Sequence, residues 1–184
     1  MFIVLGFNLV GGGNAPFLNK AMCTISDFLN RLDALDVEEI AVEIIAEDTA
    51  ELTQLQKDQL WAGKDNEGND LTPTYLTDPY FKTQEQAKAY MEYKYKLTPP
   101  EGFLSPYPDR KKEVPNLWIT GYWQSGIQFK IEDGGFFINT NKLNPAIIAK
   151  YPKALGLNET GLDYYRTETF NDKFMSDVRK TLQV

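Results

Sequence analysis

The sequence contains no histidine and a single cysteine, Cys23. Ser-His-Asp and Cys-His catalytic arrangements, histidine-ligated metals, cysteine zinc sites and any intramolecular disulfide are thereby excluded. Basic residues are also scarce, with 19 Lys and Arg against 26 Asp and Glu and a net charge of -7. A chain of that sign lacks a broad electrostatic grip on nucleic-acid phosphates. Long apolar runs are missing as well. Met1 to Val10 is apolar, but no basic region precedes it, and Gly11-Gly12-Gly13 interrupts it far short of the ~20 residues a bilayer span needs. It reads as neither a signal peptide nor a membrane anchor. The triple glycine is not followed by the Gly-Lys-Ser/Thr of a phosphate loop. One cysteine without an export signal suits a reducing compartment or a particle assembled in the cytosol.

What is present is enough for one core: 184 residues, 42% apolar and 13% aromatic. The expectation is a single domain over residues 1–184, with 1–20 either a strand or buried tail or an extended N-terminal arm that docks on a neighbouring subunit, and 98–116 as a long Pro-rich loop. Five of the ten prolines fall between Pro99 and Pro115. Ile25, Phe28, Leu29, Leu32 and Leu35 recur at helical spacing behind Thr24 or Ser26 as a cap. Asp36 with Glu39 forms a second capping pattern. Val37, Ile40, Ala41, Ile44, Ile45, Leu52 and Leu55 then predict one helix over 37–62, roughly 37 Å long, ending at Gly63.

Thr83 with Gln86 starts another helix, through Ala87, Tyr90 and Met91 to Leu97, which Pro99-Pro100 must end. Ile127, Phe129 and Ile131 alternate with polar residues, Asp133-Gly134-Gly135 supplies a turn, and Phe136-Phe137-Ile138 returns, giving a β-hairpin. Leu117-Trp118-Ile119 reads as a further strand, with a turn or a single helical turn over 120–126. Phe170, Phe174, Val178 and Leu182 step by four in a terminal helix. The fold class is α+β: amphipathic helices, one of them long, packed on a small antiparallel β-sheet.

Carboxylates are the only abundant groups with catalytic potential. Glu39, Glu43, Glu47 and Glu51 are spaced by four and stack on one helix face. Three like-charged pairs at that spacing cost on the order of 1 kcal/mol. The stripe therefore reads as a solvated face, an intersubunit surface or an electronegative channel wall. A line of carboxylates does not converge on a Mg²⁺ or Ca²⁺ ion. Asp65 to Asp70 has the residue types of a calcium loop without its ligand register, and reads as a polar turn. Arg110, Lys111 and Lys112 form a basic loop suited to an acidic neighbour. Trp118, Tyr122 and Trp123 read as core or interface anchors. No catalytic, metal-binding or cofactor-binding residue is assigned.

Two stretches together carry a resemblance. The first runs from Gln56 to Tyr75, a helix end with Leu60-Trp61-Ala62-Gly63, a Gly63-x-Asp65-x-x-Gly68 turn and a Pro/Tyr segment. The second runs from Pro115 to Ile127, with Leu117-Trp118-Ile119, Thr120-Gly121, Tyr122-Trp123 and Ser125. In this order they resemble small virion morphogenesis proteins of tailed bacteriophages: the neck, head-tail connector and tail-completion group. The resemblance covers about residues 50–140. It implies a long helix on a short sheet, a non-enzymatic structural role and assembly into a homo-oligomeric ring in the virion, formed in the host cytoplasm. The implied partners are other copies and the portal, neck or tail proteins, with no membrane and no sequence-specific nucleic acid. DNA would pass through the lumen, where the Glu39 to Glu51 stripe would repel phosphates or meet Arg110 to Lys112 of the next subunit. The rival readings are a small acidic monomeric binding or inhibitor protein and, behind it, a carboxylate-based metal-dependent hydrolase.

Overall fold

The computed structural model describes residues 24–97, 105–132, 135–142 and 144–183. The arm read at 1–20, the first part of the 98–116 loop and the Asp133-Gly134 turn lie outside them. The chain divides into two compact units, Met1–Ala34 and Leu35–Val184. The packed core described below belongs to the second unit.

In the first unit, α1 (Ile25–Asp33) starts at the expected cap. The Thr24 hydroxyl oxygen accepts the Asp27 N–H at 3.1 Å, and the Asp27 carboxylate accepts the Thr24 N–H at 3.1 Å. This reciprocal box satisfies two amides that the first turn leaves without helical partners. The periodicity is amphipathic, yet no residue of α1 is buried and Ile25 is 81% exposed.

In the second unit, the helix expected over 37–62 is two helices, α2 (Val37–Glu47) and α3 (Thr49–Trp61), that meet at Asp48. Local hydrogen bonding nearly carries through: Asp48 N–H reaches the Ile44 carbonyl and Leu52 N–H reaches the Asp48 carbonyl, each at 3.0 Å. The interruption comes from tertiary structure. Asp48 is 6% exposed, and its carboxylate accepts the Tyr165 hydroxyl at 3.0 Å and pairs with Lys173. A buried carboxylate must be paired, and these partners lie over 110 residues away in sequence, out of reach of any local pattern.

α3 ends as the sequence predicts. Gly63 has φ +74°, its N–H reaches the Leu60 carbonyl, and Lys64 N–H reaches the Gln59 carbonyl, each at 3.0 Å. This is a Schellman closure. Side chains are barred here, because a Cβ on Gly63 would lie 2.5 Å from Val114 Cγ1.

α4 (Gln84–Tyr95) follows its Thr83 cap. The hairpin forms as read, β1 (Ile127–Glu132) antiparallel to β2 (Gly135–Thr140), with Phe129 opposite Ile138 and Ile131 opposite Phe136. Leu117-Trp118-Ile119 is not a strand: Leu117 takes φ +53°, a left-handed conformation outside the extended region of regular strands. The single turn expected before the hairpin is the 3₁₀ segment Gln124–Gly126. After β2 come α5 (Pro145–Lys150) and α6 (Glu159–Tyr165). A π-helical turn (Arg166–Phe170) and α7 (Asn171–Leu182) continue α6 into one 24-residue helix.

Two apolar clusters fill the unit. Leu60, Leu71, Val114, Trp123, Ile127, Tyr151 and Ala154 form the larger. Leu52, Leu55 and Tyr165, flanked by Ile45, Phe129, Leu157 and Phe170, form the second. Helices on one small antiparallel sheet make an α+β fold. Among the described residues no helix is long and apolar enough to cross a membrane.

Candidate functional surfaces

The acidic stripe survives on α2 and is lost on α3. Glu39, Glu43 and Glu47 are exposed, and none forms an ion pair among the described residues. Glu51 is half-buried and accepts the Thr169 hydroxyl at 2.6 Å, so the four carboxylates read as one face become three. The field of Glu47 reaches Lys173 and Lys180, whose own hydrogen-bonded partners are Asp48 and Asp177.

The basic loop is largely taken up inside the chain. Lys111 pairs with Asp70 at 2.5 Å, and Lys112 with Glu92 at 2.6 Å. The Arg110 guanidinium lies 5.9 Å from the Trp61 ring centre and 5.4 Å from that of Tyr95. An interchain role for these three cations is therefore not required by any unmet charge on the two lysines. Asp70 also binds Lys64 at 2.8 Å, and these two hydrogen-bonded lysines hold its carboxyl below the usual range. The neighbouring Asp65 carboxylate accepts the Glu67 and Asn69 amides at 2.9 and 2.8 Å, which closes 65–70 as a polar turn.

A third surface was not singled out by the sequence pattern. Ile45 and Leu52 from the helices, Phe129, Phe136 and Ile138 from the hairpin, and Leu157, Leu162 and Phe170 surround an apolar concavity of about 430 Å³. Its polar members are few, and Arg166 is engaged by Asp163 at 2.5 Å. Among the described residues that line it there is no nucleophile paired with a base and no carboxylate, so the chemistry these residues offer is the burial of apolar surface. The floor near Gly156 and Leu157 is fixed from α3 by two buried glutamines. Gln56 donates to the Ala154 carbonyl at 3.1 Å and accepts the Gly156 N–H at 2.7 Å. Gln59 donates to the Gly156 carbonyl at 2.8 Å and accepts the Asn158 N–H at 2.9 Å. Both side chains are fully buried, so a segment without regular structure has its backbone satisfied by a helix.

The π turn serves the same region. Tyr165 and Phe170, five residues apart, both pack in the second cluster, with ring centres 6.1 Å apart, and Phe170 stacks on Phe174 at 5.5 Å. A step of five is the π-helical spacing, and such turns recur at functional sites. Comparison with known proteins finds no matching family model, no similar curated protein and no similar solved structure.

Proposed function

We propose that this chain is a non-enzymatic structural protein that assembles with copies of itself into a ring in the neck, connector or tail-completion region of a tailed-phage virion. The observation that carries the reading is α1. Ile25, Leu29 and Leu32 of this amphipathic helix are exposed, and a helix stripe of that kind needs a surface to bury against. The occupant is a second copy. The same chain carries an apolar helix face on one unit and an apolar concavity on the other, two unlike surfaces whose pairing between copies is heterologous. Heterologous contacts that close make rings. Glu39, Glu43 and Glu47, exposed and without ion pairs among the described residues, suit a lumen that must not hold DNA. The resemblance over residues 50–140 supplies the virion context and points to portal, neck or tail proteins as partners.

Mass photometry and negative-stain imaging of the purified protein test this. Discrete rings that are lost on Leu29→Asp, at an exposed position where folding is unaffected, are the expected result. A stable monomer at high concentration overturns the ring and favours the second reading, a small acidic binding protein, for which the 430 Å³ concavity is the natural surface.

A further inference from the structure

A separate cavity of about 360 Å³ lies where α4, α5 and the 115–119 segment meet. Tyr75, Phe81, Tyr90, Lys94, Leu117 and Ile147 contribute to its wall. From these residues we infer that the cavity is a binding site for a small aromatic carboxylate, with Lys94 and Tyr75 receiving the carboxylate and the aromatic wall receiving the ring. The inference does not depend on the assembly reading above.

Lys94 is the decisive residue. It lies on the inward face of α4, seven positions after Ala87, and is 2% exposed. Among the described residues its side-chain ammonium has no hydrogen bond and no ion pair; the charge that acts on it is Arg110, of the same sign. A buried ammonium without a counter-ion is strongly unfavourable. Burial first, and then Arg110, push its pKa down to about 8. Tyr75 is 5% exposed, and its buried hydroxyl faces the Asn116 backbone N–H, a donor, so its own proton has no acceptor. The nearby carboxylate does not serve either group, because Asp78 is committed to Lys150 and to the Tyr80 N–H at 3.0 Å.

Two donors without an acceptor select the ligand's polar group. An ammonium and a phenol both donate to an anion, and neither ligates a metal ion in that state. One uncompensated cation in the wall balances one negative charge, which favours a carboxylate over a phosphate dianion. The remaining wall selects the body. Tyr75 and Phe81 pack on Tyr90 with ring centres 5.5 and 5.3 Å apart, and Leu117 and Ile147 add flat aliphatic surface. The volume falls at the small end of the range of about 300–1,000 Å³ found for ligand pockets. Leu117, held at φ +53° beside it, is a strained residue of the kind that gathers at binding sites.

The test uses the full chain, with 3-phenylpropionate as the probe and its neutral amide as the control, followed by calorimetry and by NMR titration. Saturable 1:1 binding of the carboxylate is expected, at least tenfold tighter than that of the amide. Lys94→Met should weaken the carboxylate at least tenfold and leave the amide unchanged. That variant keeps the apolar stem and removes a buried charge, so it should melt no lower than the wild type. Tyr75→Phe, which removes only the hydroxyl, provides an independent second variant and should weaken the carboxylate several-fold. Absence of saturable binding, equal affinity for carboxylate and amide, or undiminished binding by a folded Lys94→Met protein would each overturn the inference.

Discussion

The Tyr165 hydroxyl donates to Oδ2 of Asp48 at 3.0 Å, joining the last turn of α6 to the junction of α2 and α3. Burial, and then the carboxylate it faces, hold the Tyr165 phenol well above its ordinary pKa, so it remains a donor throughout the accessible pH range. Lys173 completes the arrangement on Oδ1. This contact lies at the break between α2 and α3. Tyr165→Phe should lower unfolding free energy by about 1–3 kcal/mol, because a buried carboxylate loses one of its donors. Urea denaturation checks the value, and an unchanged midpoint would mean that Lys173 alone satisfies Asp48.

Gln59 is the stronger of the two glutamine ties, since Tyr107 also donates to its side-chain oxygen at 3.3 Å. Gln59→Leu should destabilise the fold by about 3–5 kcal/mol, since several buried polar groups lose partners together. The exposed Gln128→Ala serves as the control and should stay within about 0.5 kcal/mol of the wild type. Thermal and chemical denaturation of both variants make the comparison.

Asp58 supplies a pH-dependent prediction. It is 1% exposed on α3, and burial raises its carboxyl from 3.8 to about 6, against the opposing hydrogen bond from Gln54 at 2.7 Å. The folded state therefore holds the proton more tightly than the unfolded chain does. The resulting penalty is absent below pH 3.8, grows as pH rises and is complete above about 6. Asp58→Asn should stabilise the protein by about 1–3 kcal/mol at neutral pH. That advantage should shrink to nothing as the pH falls below 4, and denaturation curves for both proteins across this range measure it. A difference independent of pH would assign the effect to packing.

Gly63→Ala tests the Schellman turn. The new methyl would meet Val114 Cγ1 at 2.5 Å and the Pro115 carbonyl oxygen at 2.9 Å, on a backbone that already disfavours any side chain. A loss of about 2–4 kcal/mol is expected from strain and overpacking together. A melting temperature equal to that of the wild type would show that the 114–115 segment moves aside freely.

Much of this architecture was legible because it is written locally. Thr24, Asp36 and Thr83 announce their helices through hydrogen bonds within three residues, and Gly63 ends α3 through its own φ. The alternation of Ile127, Phe129 and Ile131 reports a half-buried strand directly. What escaped depends on partners distant in sequence. Gln56 and Gln59 look like solvated helix positions until the 154–158 backbone is laid against them. Glu51 left the acidic stripe because Thr169 reached it. Lys94 did carry a local signal, since its spacing from Ala87 and Tyr90 puts it on the inward face of α4. Its charge made it look like a surface residue.

The π turn sets the rotational phase of everything that follows it. Because it holds one residue more than an α-helical path requires, Phe174, Val178 and Leu182 point inward, in line with Tyr165. With regular winding, Thr169, Asp172 and Ser176 would occupy that side instead. Excising a single residue between Arg166 and Phe170 would swing α7 by about 100° about its axis, turning Lys173 away from Asp48 and its greasy side toward water.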